Sequence, residues 1–116
     1  MISDGGGYVI KVGELPSGEH SSIFDGHEHG AQVSFFLSHN RPGTGPKLHR
    51  HPYEETFIVE EGEVLFTVGA STIEATAGDI VVVPARAPHK FVSRAATHRQ
   101  VSIHPVARME TEWLEG

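Results

Sequence analysis

Three imidazoles and one carboxylate recur in this chain at spacings suited to a shared cation. His49 and His51 flank Arg50, Glu55 follows shortly after, and His89 ends the fragment Ala87-Pro88-His89. Side chains of an extended strand alternate between its faces, so His49 and His51 project to the same side. Neutral imidazole and ionised carboxylate are ligands for Mn, Fe, Co, Ni, Cu or Zn, whereas Mg or Ca would ask for more oxygens. A divalent ion held by three neutral histidines and one glutamate keeps a single net positive charge, on a chain whose own formal charge is -6. That point would attract a small anionic substrate even though the global field opposes it. Four protein ligands in a six-position sphere leave two places for water, dioxygen or substrate, and such open positions distinguish a catalytic metal from a structural one.

The remaining histidines carry weaker signals. His27-Glu28-His29 has the same alternation but lies in a polar stretch with no glutamate or glycine following in register, and reads as a solvated loop. His20, His39, His98 and His104 read as surface or hydrogen-bonded core residues, with His104 able to face a cavity if the last strand takes that register.

The elements that must position these groups are short strands. The 13 glycines and 7 prolines divide the chain into pieces better suited to a β protein than to a helical bundle. Residues up to Gly7, with three consecutive glycines, read as a flexible N-terminus, followed by a short strand over Tyr8 to Val12. Leu15 to Gly30 reads as a long polar connection, Gln32 to Leu37 as a strand covered on both faces, and Asn40 to Pro46 as loop. Lys47 to His51 is a short strand stopped by Pro52, which cannot donate to a ladder. Thr56 to Val59 and Val64 to Val68 are predicted to pair as a hairpin across residues 60–63. Turns at Gly69-Ala70 and Ala77-Gly78-Asp79 set off strands at Thr72 to Glu74 and Ile80 to Val83. His89 to Val92 and Arg99 to Ile103 are the last strands before a tail with Trp113 and Leu114. A helix starting at Pro52 is set aside, because the β-branched and aromatic run after Glu55 leaves room for no more than one turn. Nine or so strands at this spacing predict an all-β sandwich or small barrel.

Composition narrows the function classes. A chain of 116 residues makes one domain, here residues 8–116, able to bury roughly two-thirds of its unfolded surface. No cysteine is present, so neither disulfides nor thiolate ligands are available, which suits the cytoplasm. The first residues lack the basic and apolar regions of a signal peptide, and Ile80 to Val83 is the longest purely aliphatic run, far short of a membrane span. The net negative charge argues against nucleic acid, whose binding relies on Lys and Arg at phosphates. A soluble cytoplasmic protein is expected.

The setting of the histidines is more specific than their types. Gly43, five residues, His49-x-His51, three residues, Glu55, six residues and Gly62 resemble the first motif of the cupin family at every defining position. Gly78, five residues, Pro84, and His89 five residues after that proline resemble the second motif. The resemblance spans Gly43 to Ser93 and departs from the family pattern twice: Arg86 stands where glycine is usual and Ser93 where asparagine is usual. Neither change removes a ligand, but arginine resists the positive φ of a tight turn. The resemblance implies a single-domain jelly-roll β-barrel with a divalent transition metal (Fe, Mn, Ni, Zn or Cu) inside, ligated by His49, His51, Glu55 and His89. On that frame strand alternation puts Lys47, Phe57 and Phe91 on the ligand-bearing faces, where Lys47 would bind a substrate carboxylate or reach the barrel mouth. Arg86 would add positive charge near His89, whereas Lys90 reads as solvated surface.

The cupin family spans dioxygenases, decarboxylases, isomerases, epimerases, storage proteins and sugar-sensing domains, so the fold does not choose the function. The leading expectation is a metal-dependent, dioxygenase-like enzyme acting on a small anionic or phenolic molecule. The alternatives are a non-catalytic small-molecule or metal-binding protein and a metal-dependent isomerase or lyase. Apolar strands on both faces need outer cover, so a homodimer is expected, and the N-terminal strand and the Trp113-Leu114 tail serve either that contact or, equally well, packing within one subunit.

Overall fold

The computed structural model describes residues 6–116, so the expectation of a flexible N-terminus falls largely outside the described residues. Ten strands follow one another: β1 (Ser21–Phe24), β2 (Ser34–Ser38), β3 (His49–Arg50), β4 (Glu55–Glu61), β5 (Glu63–Val68), β6 (Ser71–Thr76), β7 (Ile80–Val83), β8 (His89–Ser93), β9 (Arg99–His104) and β10 (Glu112–Trp113). They form two antiparallel five-stranded sheets, one ordered β1-β2-β9-β4-β7 and the other β10-β3-β8-β5-β6. This is the jelly-roll arrangement the motifs implied. Among the described residues no helix is long and apolar enough to cross a membrane.

The two sheets meet through alternate residues of β4 and β7 on one side and β5, β6 and β8 on the other. Phe57, Val59, Val81 and Val83 from one sheet pack against Val64, Phe66, Ala75 and Phe91 from the other. Phe57 and Phe66 meet edge to face with centroids 4.9 Å apart, the geometry favoured by the ring quadrupoles. Each aromatic buried in this layer contributes roughly 1.5–3 kcal/mol from area alone. One residue pair further along the same strands the core becomes polar. Glu55 precedes Phe57 on β4, and His89 precedes Phe91 on β8. The aromatic layer therefore forms the floor under the histidine layer.

Several sequence expectations are corrected. β4 and β5 do not pair with each other. β4 lies between β7 and β9, and β5 between β6 and β8, so the link at Gly62 is a corner between sheets. Gly62 takes φ +98°, and an added Cβ would lie 2.3 Å from Thr97 O, so only glycine fits that corner. The hairpin partner of β5 is β6, across Gly69-Ala70. Tyr8 to Val12 forms no strand: Val9 is 84% exposed, and the chain instead makes a 3-10 turn at Val12–Glu14 before burying Leu15. The connection read over Leu15 to Gly30 contains β1 and a single helical turn, α1 (Gly26–His29). The Asp25 carboxylate accepts from the His27 amide at its start, and Gly30 ends it with φ +72°. Finally, the C-terminal tail pairs within its own chain, Trp113 against His49 and Glu112 against Arg50.

Arg86 keeps the tight turn at φ +69°, the one non-glycine residue with positive φ among those described. The Ala87 amide donates to Pro84 O at 3.2 Å, and the Arg86 amide donates to His51 O at 2.8 Å. The turn thus ties the second motif to the first. Ser93 is buried, and its backbone exchanges hydrogen bonds with the Gly43–Thr44 loop.

Candidate metal centre

His49, His51, Glu55 and His89 converge. Each offers one ligand atom, and all four atoms lie within 4.8 Å of one another in the buried interior. The fold brings them there in three ways. β3 and β8 pair with His49 directly opposite His89, so these two point to the same side of one sheet. His51 follows His49 by one strand period. The chain then bends at Pro52 and crosses to the other sheet, where Glu55 starts β4 facing inward.

The backbone sets the tautomer of each histidine. His49 Nδ1 lies 2.8 Å from Lys47 O, His51 Nδ1 2.7 Å from Glu110 O, and His89 Nδ1 2.9 Å from Ala87 O. A carbonyl only accepts, so each Nδ1 carries the proton and each Nε2 is left toward the cluster. This is the orientation by which proteins prepare histidine for a metal. His49 and His89 each use the carbonyl two residues earlier. His51 uses the C-terminal segment, so that tail is part of the site.

Glu55 Oε1 lies 3.0 Å from His51 Nε2 and 2.9 Å from His89 Nε2. His51 Nε2 is buried with no hydrogen-bond partner despite that proximity, because the alignment is poor. Acceptor atoms crowded in this way require a cation among them, either protons on the rings or a metal. Metal–ligand bonds of ~2.1 Å put neighbouring donors about 3 Å apart. The observed spacings and the N/O donor set therefore fit a first-row divalent ion.

Electrostatics favour the same state. Burial opposes ionisation of Glu55, but the imidazoles of His104, His51 and His89 outweigh it and hold the carboxyl well below the usual carboxylate range. Burial, reinforced by the neighbouring histidines and only partly offset by the Lys47 carbonyl, lowers His49 to about 4, so it is neutral near pH 7. Burial also opposes protonation of His51, yet Glu55 and the Glu110 carbonyl raise its pKa above the ordinary value.

A fifth residue, His104, joins the cluster. Its Nε2 lies 3.2 Å from Glu55 Oε2, and its Nδ1 lies 2.7 Å from the Tyr53 hydroxyl. Tyr53 also stacks on His51 with rings 8° from parallel and meets the Glu110 amide through its oxygen at 3.3 Å. Burial, eased by the Glu110 backbone and reinforced by the Glu55 and Glu110 charges, pushes the phenol up to about 12, so it stays protonated. One oxygen of Glu55 thus faces His104 and the other faces His51 and His89.

The cluster opens into a cavity of about 270 Å³. Phe57 and Phe91 line it, as strand alternation indicated. The other two residues expected beside a substrate lie elsewhere. Lys47 is exposed and its ammonium donates to the Gly116 carbonyl. Arg86 is exposed and borders a separate cleft with Arg50, Glu110 and Glu112. The strand read from Lys47 begins only at His49, so alternation does not carry the lysine inward. The Arg86 turn points its side chain away from His89. Lys90 pairs with Glu115 at 3.4 Å on the surface.

Comparison with known proteins agrees with this architecture. The Cupin domain family model matches residues 36–103. No curated protein sequence matches the chain significantly. Among solved structures, oxalate decarboxylase from Bacillus subtilis superposes with a TM-score of 0.74 at 23% identity, over 87% of this chain and 29% of that one. Oxalate decarboxylase from Lactobacillus farciminis, in its formate complex, gives 0.74 at 21% identity, over 87% of this chain and 33% of that one. An uncharacterized protein with a double-stranded β-helix domain from Klebsiella pneumoniae subsp. pneumoniae gives 0.70 at 20% identity, over 96% of this chain and all of that one (100%). The chain spans about a third of the length of the decarboxylases, and likeness at these identities concerns the fold. With the family model covering more than half of its residues, the chain belongs to the cupin family.

Proposed function

We propose that this cupin is a metal-dependent enzyme of the oxygenase type, in which His49, His51, Glu55 and His89 hold a divalent transition metal and a small organic substrate enters the adjoining cavity. One observation carries the reading: four buried donors converge beside a cavity that His49, His51 and Glu55 line, with each of the three histidines oriented by a backbone carbonyl. No other protein donor is needed to hold an ion there, and positions stay open toward the cavity. Fe, Mn, Ni, Zn and Cu all suit the donor set. When bound, Fe or Mn supplies a redox centre at which dioxygen and substrate come into contact.

The chain's own residues do the rest. The carbonyls of Lys47, Glu110 and Ala87 fix the rings, His104 and Tyr53 keep Glu55 from rotating, and Phe57 and Phe91 exclude water from beneath the site. Oxygen uptake tests the reading, using protein loaded in turn with Fe, Mn, Ni and Cu and a panel of small acids and phenols. Substrate-dependent uptake supports it. Turnover independent of oxygen would indicate an isomerase or lyase, and stoichiometric retention without conversion would indicate a binding protein.

We also propose a homodimer in the cytoplasm, the latter in keeping with a chain free of cysteine. The outer face of the β1-containing sheet carries an aliphatic row across four strands, Ile80, Ile58, Val101 and Leu37, each opposite the next. Ile80 is 65% exposed at one end of it. A second copy would cover this aliphatic row.

A further inference from the structure

The cavity beside the cluster is small and selective in its chemistry. At ~30 Å³ per water, its volume of about 270 Å³ holds on the order of ten non-hydrogen atoms. Beyond the cluster its walls combine four aromatic rings, Phe36, Phe57, Phe91 and Trp113, with neutral polar side chains such as Ser38, Asn40 and Ser102. Glu55 is the one carboxylate in the lining, and among the described residues no lysine or arginine lines it. Just before β1, His20 also lines the cavity, and its Nδ1 is buried with no hydrogen-bond partner among the described residues.

These features discriminate between ligand classes. A divalent ion with Glu55 leaves one positive charge at the head of the cavity, which a single acidic oxygen neutralises. A dianion would leave surplus negative charge in a low-dielectric space with no cation to pair it. The aromatic rings gain from an apolar body, and the neutral polar side chains suit a hydrogen-bonding group better than a second unpaired charge.

We propose that the cavity binds a small monoacid: one acidic oxygen directed to the cluster, an apolar body of about ring size, and a further hydrogen-bonding group for which His20 selects. This specifies the substrate class of the proposed metal site and rests on that reading. His20 Nδ1 is a specificity determinant because it can donate to or accept from such a group.

Binding to the full chain loaded with Co²⁺ provides the test, with metal content measured first. Benzoate, 3- and 4-hydroxybenzoate and oxalate are then titrated, following the visible Co²⁺ bands and the melting temperature. Benzoate and at least one hydroxybenzoate are expected to bind more tightly than oxalate by about tenfold or more, given the burial of a ring. The better hydroxybenzoate should exceed benzoate by about fivefold, and His20→Phe should abolish that preference while benzoate still binds. Oxalate binding as tightly as benzoate, or no saturable binding by either, overturns the ligand class and leaves the metal reading standing. Folded protein that takes up no Co²⁺ overturns both. Should H20F fail to fold, the wild-type order of benzoate and oxalate still decides the class, and His20→Gln decides the role of the ring nitrogen.

Discussion

Replacing Tyr53 with Phe isolates the outermost member of the network around Glu55. The ring stack on His51, with centroids 5.1 Å apart, is retained, and no cavity forms. The hydroxyl is lost, and with it the 2.7 Å contact to His104 Nδ1 and the 3.3 Å contact from the Glu110 amide. The His104 side chain is only 3% exposed, so its Nδ1 is left buried and unpaired. A buried polar group stripped of its partner costs about 1–3 kcal/mol, and the half-buried position of Tyr53 favours the lower part of that range. For a domain of this size, a loss of about 1–2 kcal/mol lowers Tm by roughly 4–10 °C. His104 then orients Glu55 less firmly, and metal affinity should fall about tenfold to a hundredfold, as for other outer-shell partners. Urea denaturation of metal-free protein reads the first effect, and competition with a chelator reads the second. Y53F within about 0.5 kcal/mol of wild type, with unchanged affinity, would refute the role given to this network.

Further expectations address other parts of the site. Glu55→Gln keeps the shape but removes the charge, and should weaken metal binding by at least the hundredfold seen for indirect partners, read by chelator competition. The pH dependence of metal binding has a definite sign. Binding needs His51 neutral, and its pKa is raised, so affinity should fall and proton release on binding should rise as pH drops through neutrality. His49, at about 4, should contribute nothing to that slope above pH 5, and calorimetry in buffers of different ionisation enthalpy counts the protons. Arg86→Gly relieves a φ of +69° costing about 1–2 kcal/mol but adds unfolded-state entropy worth about 0.4–1 kcal/mol, so thermal unfolding should show a net gain between about 0 and about 1.6 kcal/mol. Ile58→Lys puts a charge into the aliphatic row of the outer sheet, so if the proposed dimer forms through this row, light scattering should report a dimer for wild type and a monomer for I58K.

The part of the site set by local pattern was legible in the sequence, and the part set by distant pairing was not. His49, His51, Glu55 and His89 stand out because their spacing rides on short strands bounded by Gly and Pro. Phe57 and Phe91 follow by alternation from Glu55 and His89. His104 was harder, because β9 inverts the usual rule: Gln100, Ser102 and His104 face the interior, while Val101 and Ile103 face out. A reading that turns apolar residues inward places His104 on the wrong side. The corner at Gly62 resembles an ordinary hairpin turn in sequence, and its true nature depends on β9 lying beside β4, 47 residues away in the pairing of Thr56 with Ile103. The α1 turn carries a recognisable Asp25 cap and Gly30 stop but is too short for periodicity to reveal. Strand alternation fails for Lys47 because β3 begins only at His49, and closeness in sequence to His89 does not bring the exposed Arg86 to the cavity.

The most direct measurement of the central claim is metal content by elemental analysis, on untagged protein, for wild type and His89→Ala side by side. The account expects one transition-metal ion per wild-type chain, with N/O neighbours at about 2.1 Å by X-ray absorption, and little metal in folded H89A. Wild type without stoichiometric metal after loading, or H89A retaining as much as wild type, would contradict it.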